Sequence, residues 1–270
     1  METATNWDLN FITRDDFKKN VIDTIKTYQD KLVSFDLDLF NKNIIDPIKL
    51  IFDKSIYHLS WEEIIKNEIY RQRDKSNNNS IGYFHQNLFK YIKGCVVPKS
   101  GFDVIYTNPK GVTVEGIKVH TINAELKNKH NTMNSGSSSA VYANLQNGLL
   151  KNSDSINCLV EAIAKKSQNI VWKFTYKKEH LSNDKIRRIS IDKFYEIVTG
   201  DKEAFLKICK VLPQIIEEAI LHDKIQTPND VVYKQLQDNY EKIKEKNDKV
   251  DFVMSLYLLG FSSYLGFDQF

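Results

Sequence analysis

Apolar residues along this chain recur first at helical spacing, then by alternation, then at helical spacing again. Between Asp15 and Asp30, Phe17, Val21, Ile22, Ile25 and Tyr28 fall at intervals that place them on one face of a helix. Thr13 is its candidate N-cap, with Asp16 three residues on in the manner of a capping box. Phe35 to Phe52 is apolar-rich but interrupted by Asp46-Pro47, so two short helices are predicted, the second starting near the proline. Ser60, with Glu63 three residues later, opens a helix that turns Ile64, Ile65 and Ile69 inward. Asp74 to Ser80, with three consecutive asparagines, reads as a polar loop before another helix, Gly82 to Ile92.

At Phe102 the period changes to two. Phe102 to Thr107 is rich in β-branched and aromatic residues and reads as a strand, followed by a turn at Asn108 to Gly111. Val112 to Lys127 holds one or two further strands, Ser135 to Ser139 a Gly/Ser loop, and Ala140 to Leu150 a helix. Asn157 to Ala164 and Ile170 to Tyr176 read as strands. Asp192 to Val198, Lys202 to Leu221, Asn229 to Lys246 and the last apolar segment read as helices. No internal repeat is present. The order predicts one α/β (α+β) domain over residues 1–270: a helical part (1–80), a core built on a central sheet flanked by helices (81–200), and a second helical part (201–270).

Composition adds limits. The 270 residues suffice for a sizeable core, and 41% hydrophobic with 27% charged residues is ordinary for a folded soluble chain. No apolar run follows a basic start, so no signal peptide is expected. Phe252 to Phe267 is too short and too interrupted by serine and glycine to span a bilayer. Three separated cysteines, Cys95, Cys158 and Cys209, argue against a disulfide framework and fit a reducing cytoplasm. The net charge is only +3, but Trp61 to Ser190 holds 20 Lys/Arg against 11 Asp/Glu, so the middle is basic and the flanks acidic. Such a distribution points to a polyanion at the middle, with scattered surface charge as the competing explanation.

The chemistry concentrates between Gly101 and Lys127. Alternation puts Asn123, Glu125 and Lys127 on one face of a strand and Ile122, Ala124 and Leu126 on the other. If the strand bearing Asp103 pairs beside it, two carboxylates and an ammonium converge. That set makes a hard oxygen site suited to Mg²⁺, with a lysine placed to orient a water or offset charge on a phosphate. The tripeptide alone is not diagnostic. Roughly four acid-x-Lys matches are expected by chance at this composition and the chain has two, the other being Asp16-Phe17-Lys18 on an exposed helix face. Read without any resemblance, a structural ion pair and a metal site both remain open.

Lys99-Ser100-Gly101-Phe102-Asp103 followed by Glu125-Leu126-Lys127 resembles the PD-(D/E)XK nuclease core. The segments Phe40–Lys49, Arg71–Asn79, Ile81–Ile92, Glu125–Asn134 and Ile191–Gly200 resemble type II restriction endonucleases of the group that cuts GGNCC-type sites. The chain departs from the motif at its proline, where Phe102 stands; the nearest proline is Pro98. The resemblance implies a restriction-endonuclease-like mixed sheet and Mg²⁺-dependent hydrolysis of both strands of a short palindromic duplex site. Asp103 and Glu125 would bind metal and Lys127 would assist the attacking water. A helix glutamate often joins such sites; Glu68 is the candidate, with Glu62 and Glu63 competing and a capping or surface role open for each. A palindrome is matched by a twofold protein, so a homodimer is expected, with Phe252 to Phe261 as candidate interface or, alternatively, as a helix closing the core.

Asn128, Lys129, His130, Asn131 and Asn134 follow the catalytic strand and are candidates for phosphate or base contacts. Lys165, Lys166 and Gln168 form a second group and Arg71 with Arg73 a third, while Arg187-Arg188 is either DNA-facing or structural. For each, a plain surface role competes. The six histidines are dispersed, which argues against zinc; His85 is read as hydrogen-bonded and structural, His130 as an alternative base. Cys95 and Cys158 read as core thiols, and without a P-loop no nucleotide cofactor is expected. Two other functions stay open: a structure-specific repair or junction nuclease of the same core, and a non-catalytic DNA-binding protein.

Overall fold

A β-hairpin carries the centre of the sheet. Strands β2 (Val104–Val114) and β3 (Ile117–Lys129) pair antiparallel, with Val104 opposite Ala124. They are joined through Glu115 and Gly116, both at positive φ (48° and 82°), as a two-residue primed turn requires. The turn predicted at Asn108–Gly111 is instead an irregularity inside β2. Pairing shifts between Thr107 and Val112, so four residues stand against His120 alone. Pro109 has no N–H for the ladder and Gly111 sits at φ 76°, which suits a bulge as well as a turn.

The computed structural model describes residues 7–30, 32–130, 133–176, 179–221, 228–248 and 250–261. Its contacts group the chain into two compact units, Met1–Lys26 with Asn78–Lys224 and Thr27–Asn77 with Ile225–Phe270.

The first unit holds a six-stranded mixed sheet in the order β1-β2-β3-β4-β8-β5. Strands β4 (Ser155–Ile163) and β8 (Ile186–Ser190) run parallel to β3; β1 (Cys95–Val96) and β5 (Asn169–Val171) are antiparallel edges. The stretch predicted as one strand, Ile170 to Tyr176, is split between β5 and β6 (Phe174–Tyr176), and β6 pairs with β7 (Glu179–Leu181) in a separate ribbon. β8 was not predicted because Arg187-Arg188 breaks its apolar run. Inside the sheet both arginines are structural: Arg187 donates to Asn169 Oδ1 at 2.6 Å, and Arg188 pairs with Glu161.

Alternation divides the sheet into two apolar faces. Ile122, Ala124, Cys158, Val160 and Ile189 pack beneath α1 (Arg14–Gln29), α6 (Ile191–Thr199) and α7 (Ala204–Leu221). On the other face Leu159 and Ile186 meet Tyr142 and Leu145 of α5 (Ser135–Lys151). The Gly/Ser loop expected at Ser135–Ser139 is the first part of α5. Asn134 caps it, its side chain accepting from Ser137 N–H at 2.8 Å, and serines are favoured near helix starts rather than inside them. α5 sits close to the sheet because Asn157 donates to the Leu145 carbonyl at 2.7 Å and accepts from Asn123 at 2.8 Å. Gly148 makes that approach possible: an added Cβ would lie 2.4 Å from Asn157 Nδ2 and 2.7 Å from Phe102 Cζ.

The second unit is helical. It holds α2 (Leu37–Lys42), α3 (Pro47–Tyr57), the first part of α4 (Trp61–Leu88), α8 (Val232–Lys246) and α9 (Phe252–Phe261). The cap predicted at Ser60 is present, Ser60 and Glu63 bonding reciprocally, and α3 starts at Pro47 as expected, with Asp46 accepting from Lys49 N–H as a cap not read from the sequence. The loop predicted at Asp74–Ser80 is a correction, since α4 runs through it unbroken and ends in a 3₁₀ turn, Phe89–Tyr91. Asparagine costs a helix only up to about 0.7 kcal/mol per residue relative to alanine, and no proline interrupts. α9 closes the core, with Leu256 buried and Phe252 and Leu259 packed against it. Among the described residues no helix is long and apolar enough to cross a membrane.

Gly148→Ala is expected to cost about 1–3 kcal/mol, since neither Asn157 nor the Phe102 ring can move without breaking its own packing. A thermal midpoint lowered by roughly 3–10 °C checks this.

Candidate active site

The register of the hairpin assembles the site. With Val104 opposite Ala124, Asp103 at the mouth of β2 comes to stand across from Glu125. Its carboxylate is fixed there by the backbone: Leu126 N–H donates to Asp103 Oδ2 at 2.7 Å. Gln86 of α4 donates to the Asp103 carbonyl at 3.4 Å. Glu125 is half-buried and its Oε1 accepts from Asn144 of α5 at 2.8 Å. Burial pushes the Glu125 pKa up and the neighbouring Asp103 charge pushes it further, while Lys127 and Asn144 oppose them. Two carboxylates that repel across such a short gap, with a lysine two residues on along the same face, form an electrostatically unfinished cluster.

Lys127 lies in register with Glu161 of the parallel strand β4. Glu161 is fully buried and pairs with Arg188, which also donates to the His130 carbonyl at 3.0 Å. His130 N–H donates in turn to the Ile163 carbonyl at 3.1 Å. The end of β3 is therefore held from both sides of its backbone. Beside it opens a cleft of about 370 Å³, lined by Tyr83, His85 and Gln86 of α4 and by Asp103, Lys127 and Asn128. The His85 ring packs with Phe84, Tyr195 and Phe205, and burial pushes its pKa down to about 4. Its Nδ1 has no hydrogen-bond partner among the described residues, and the ring packing gives it a structural place. Burial also pushes the Cys95 thiol up to about 12 and the Cys158 thiol higher still, which keeps both out of nucleophilic chemistry.

Among the other candidates, Asn128 lines the cleft, Lys129 is exposed at the end of β3, and His130 is half-buried beyond it. Asn131 lies outside the described residues. The Asn134 side chain is engaged as the α5 cap. Lys165 and Lys166 are exposed just past β4, at the same end of the parallel strands as Lys127; Gln168 follows, its backbone paired with Ser190. Glu68, Arg71 and Arg73 belong to the second unit. There Glu68 is buried and accepts from Arg71 at 2.5 and 2.6 Å and from Gln72, and Arg73 is buried against Asp230 and the Val33 carbonyl. Sequence reasoning missed Asn144, Gln86 and the Glu161–Arg188 pair. The pair left one trace, a lone glutamate at the end of an apolar strand. Asn144 and Gln86 left none, because only helix docking brings Asn144 to the Glu125 carboxylate and Gln86 to the Asp103 backbone carbonyl.

The model of the Eco47II restriction endonuclease family matches residues 9–221, a span that includes Asp103, Glu125 and Lys127. The chain belongs to this family. Type II restriction enzyme Sau96I of Staphylococcus aureus is 30% identical over 269 residues, which cover 94% of this chain and 99% of that protein. Type II restriction enzyme Eco47II of Escherichia coli is 30% identical over 167 residues, 58% of this chain and 66% of that protein. A member of the Eco47II family is a site-specific type II restriction endonuclease acting on double-stranded DNA, and the mixed sheet flanked by helices is the fold its resemblance implied.

The raised pKa of Glu125 has a signed consequence for stability. The fold favours the protonated carboxyl, so stability is full below the ordinary glutamate range and falls as pH rises through the raised value. In protein freed of divalent cations, Glu125→Gln is expected to raise the thermal midpoint at about pH 8, with the difference closing below about pH 4. Melting curves across that range in EDTA check it.

Proposed function

We propose that Asp103 and Glu125 hold a catalytic Mg²⁺ and that Lys127 completes a PD-(D/E)XK centre. The observation that carries this is the pair of carboxylates facing each other across β2 and β3, close enough for one charge to raise the other's pKa. Carboxylate oxygens are the donors Mg²⁺ prefers, and a divalent cation between them would relieve their repulsion. Among the described residues no group of three His, Cys, Asp or Glu forms a metal cage, so the acidic donors number two and waters or phosphate oxygens complete the shell. When bound, Mg²⁺ supplies positive charge to the phosphate and lowers the pKa of water.

The chain's own groups do the rest. Leu126 N–H and Asn144 fix the two carboxylates, which limits the motion of the donors. Lys127, on the face of Glu125, orients the attacking water and offsets negative charge on the phosphate. Asn128, Lys129 and His130, at the end of β3, and Lys165, Lys166 and Gln168, just past β4, supply phosphate and base contacts, as does Asn131, which follows His130 in sequence. The site read is GGNCC, with GGWCC as the nearest competitor. The two units act as one endonuclease, two chains pair on the palindrome, each cutting one strand, and the reducing cytoplasm keeps the three thiols free.

Incubation of sequenced plasmid with Mg²⁺ or with EDTA, followed by end mapping, tests this reading. Discrete fragments in Mg²⁺ alone, with every cut inside GGNCC, are expected; absence of discrete bands in Mg²⁺ at any salt sinks it. Asp103→Ala, Glu125→Ala and Lys127→Ala are each expected to lower the cleavage rate by at least about 10²–10³-fold. Retained gel-shift of duplex by the same variants separates lost chemistry from lost binding.

A further inference from the structure

The outer face of α3 is apolar at a spacing of four. Ile44, just before the helix, and Ile48, Phe52 and Ile56 within it are 87%, 47%, 62% and 64% exposed. The opposite side of the same helix is apolar too, with Pro47 and Leu50 buried in the core of the second unit. A helix with apolar residues on two opposite sides, separated by a charged flank, has one apolar side that its own unit does not cover. Scattered exposed apolar residues need no explanation, but a continuous stripe does. With Tyr57, at 66% exposure, the stripe offers about 700 Å² of surface, close to the roughly 800 Å² that one partner brings to a standard interface.

We propose that this face of α3 is where two copies of the chain pair. Three features favour a second copy over another occupant. The stripe follows the i, i+4 ridge, and such ridges on two helices interdigitate with one another in the commonest class of helix packing. A twofold axis sets the same patch against itself, so the occupant must be apolar along a ridge of the same length, about 16 Å for eleven residues. The flank is self-complementary in charge: Lys49 pairs with Asp53 within the helix, and in an antiparallel crossing Lys49 of one copy faces Asp53 of the other. α9, the other candidate interface, turns Leu256, Phe252 and Leu259 inward, so that among the described residues of this unit α3 presents an uncovered apolar stripe. The inference rests on the reading that each chain carries one centre and that both strands are cut.

Sedimentation of the full chain, wild type and Phe52→Glu/Ile56→Glu, tests the surface. Thermal melting and the cutting of a plasmid bearing one site are followed in parallel. The wild type is expected at twice 31.4 kDa. The variant is expected to keep the helical content and single cooperative melting of the wild type, because both positions are solvent-facing in the single chain, to lose only the concentration-dependent part of the melting midpoint, and to dissociate with a constant raised at least roughly 100-fold. At dilute enzyme it accumulates nicked circles before linear DNA. A second pair keeps the test independent of tolerance for two glutamates: Lys49→Asp weakens association, and Lys49→Asp/Asp53→Lys restores it. A Phe52→Glu/Ile56→Glu protein that associates and cuts as the wild type does overturns the surface and leaves the endonuclease reading standing. A wild type that is monomeric while cutting both strands overturns it as well, as does binding to phosphatidylcholine–phosphatidylglycerol vesicles lost in the variant without any change in mass. A wild type whose dimer is broken by the substitutions but which cuts no DNA in Mg²⁺ supports the surface and fails the endonuclease reading alone.

Discussion

One backbone hydrogen bond, from Leu126 N–H to the Asp103 carboxylate, ties the centre together. It exists only in the register that sets Val104 against Ala124. A slip of one residue would turn Glu125 and Lys127 toward the apolar core and bring Ala124 and Leu126 to the polar side. The elements around the hairpin act to prevent that slip. The Glu115-Gly116 turn defines where the strands reverse, and β4 pairs with β3 along nearly its whole length. On one face Ile122 and Ala124 are fully buried; on the other Asn123 and Asn157 bond to each other beneath α5. Sheet register, helix docking and site geometry are thus one constraint seen at three scales.

That constraint explains what was legible in the sequence. Alternation along Asn123–Lys127 placed Glu125 and Lys127 on one face and their apolar neighbours on the other, because side-chain direction in a strand depends only on local geometry. The caps at Ser60 and Thr13 were legible for the same reason: each is a contact within three residues. What was not legible depends on distant groups. β8 looked too charged for an inner strand until Asn169 and Glu161 supplied partners for its arginines. The asparagine run read as a loop because its propensity is poor, yet poor propensity is a small term in a helix as long as α4. Asn144 is separated from Glu125 by nineteen residues and a loop, and nothing in its own neighbourhood marks it.

The family assignment and the geometry support each other without being the same argument. The family match covers Asp103, Glu125 and Lys127 but says nothing of their arrangement. The structure supplies that arrangement, and with it a physical reason for the cluster to take a cation: Glu125 is held where its own charge is disfavoured. The divalent cation proposed for this pair would relieve the repulsion that adds to burial in raising the Glu125 pKa.

The Glu161–Arg188 pair has a consequence for fidelity. Through Arg188 it grips the His130 carbonyl, while Glu161 stands beside Lys127, so the proposed recognition residues and the proposed catalytic lysine share one short stretch of backbone. With those proposed roles, a duplex with a wrong base that pushed on this stretch from the recognition end would displace the lysine at the other. A shift of about 1 Å at a reacting group costs on the order of 100-fold in rate, more than a single mismatch need cost in affinity. Coupled in this way, an enzyme can occupy an incorrect site and still not cut it.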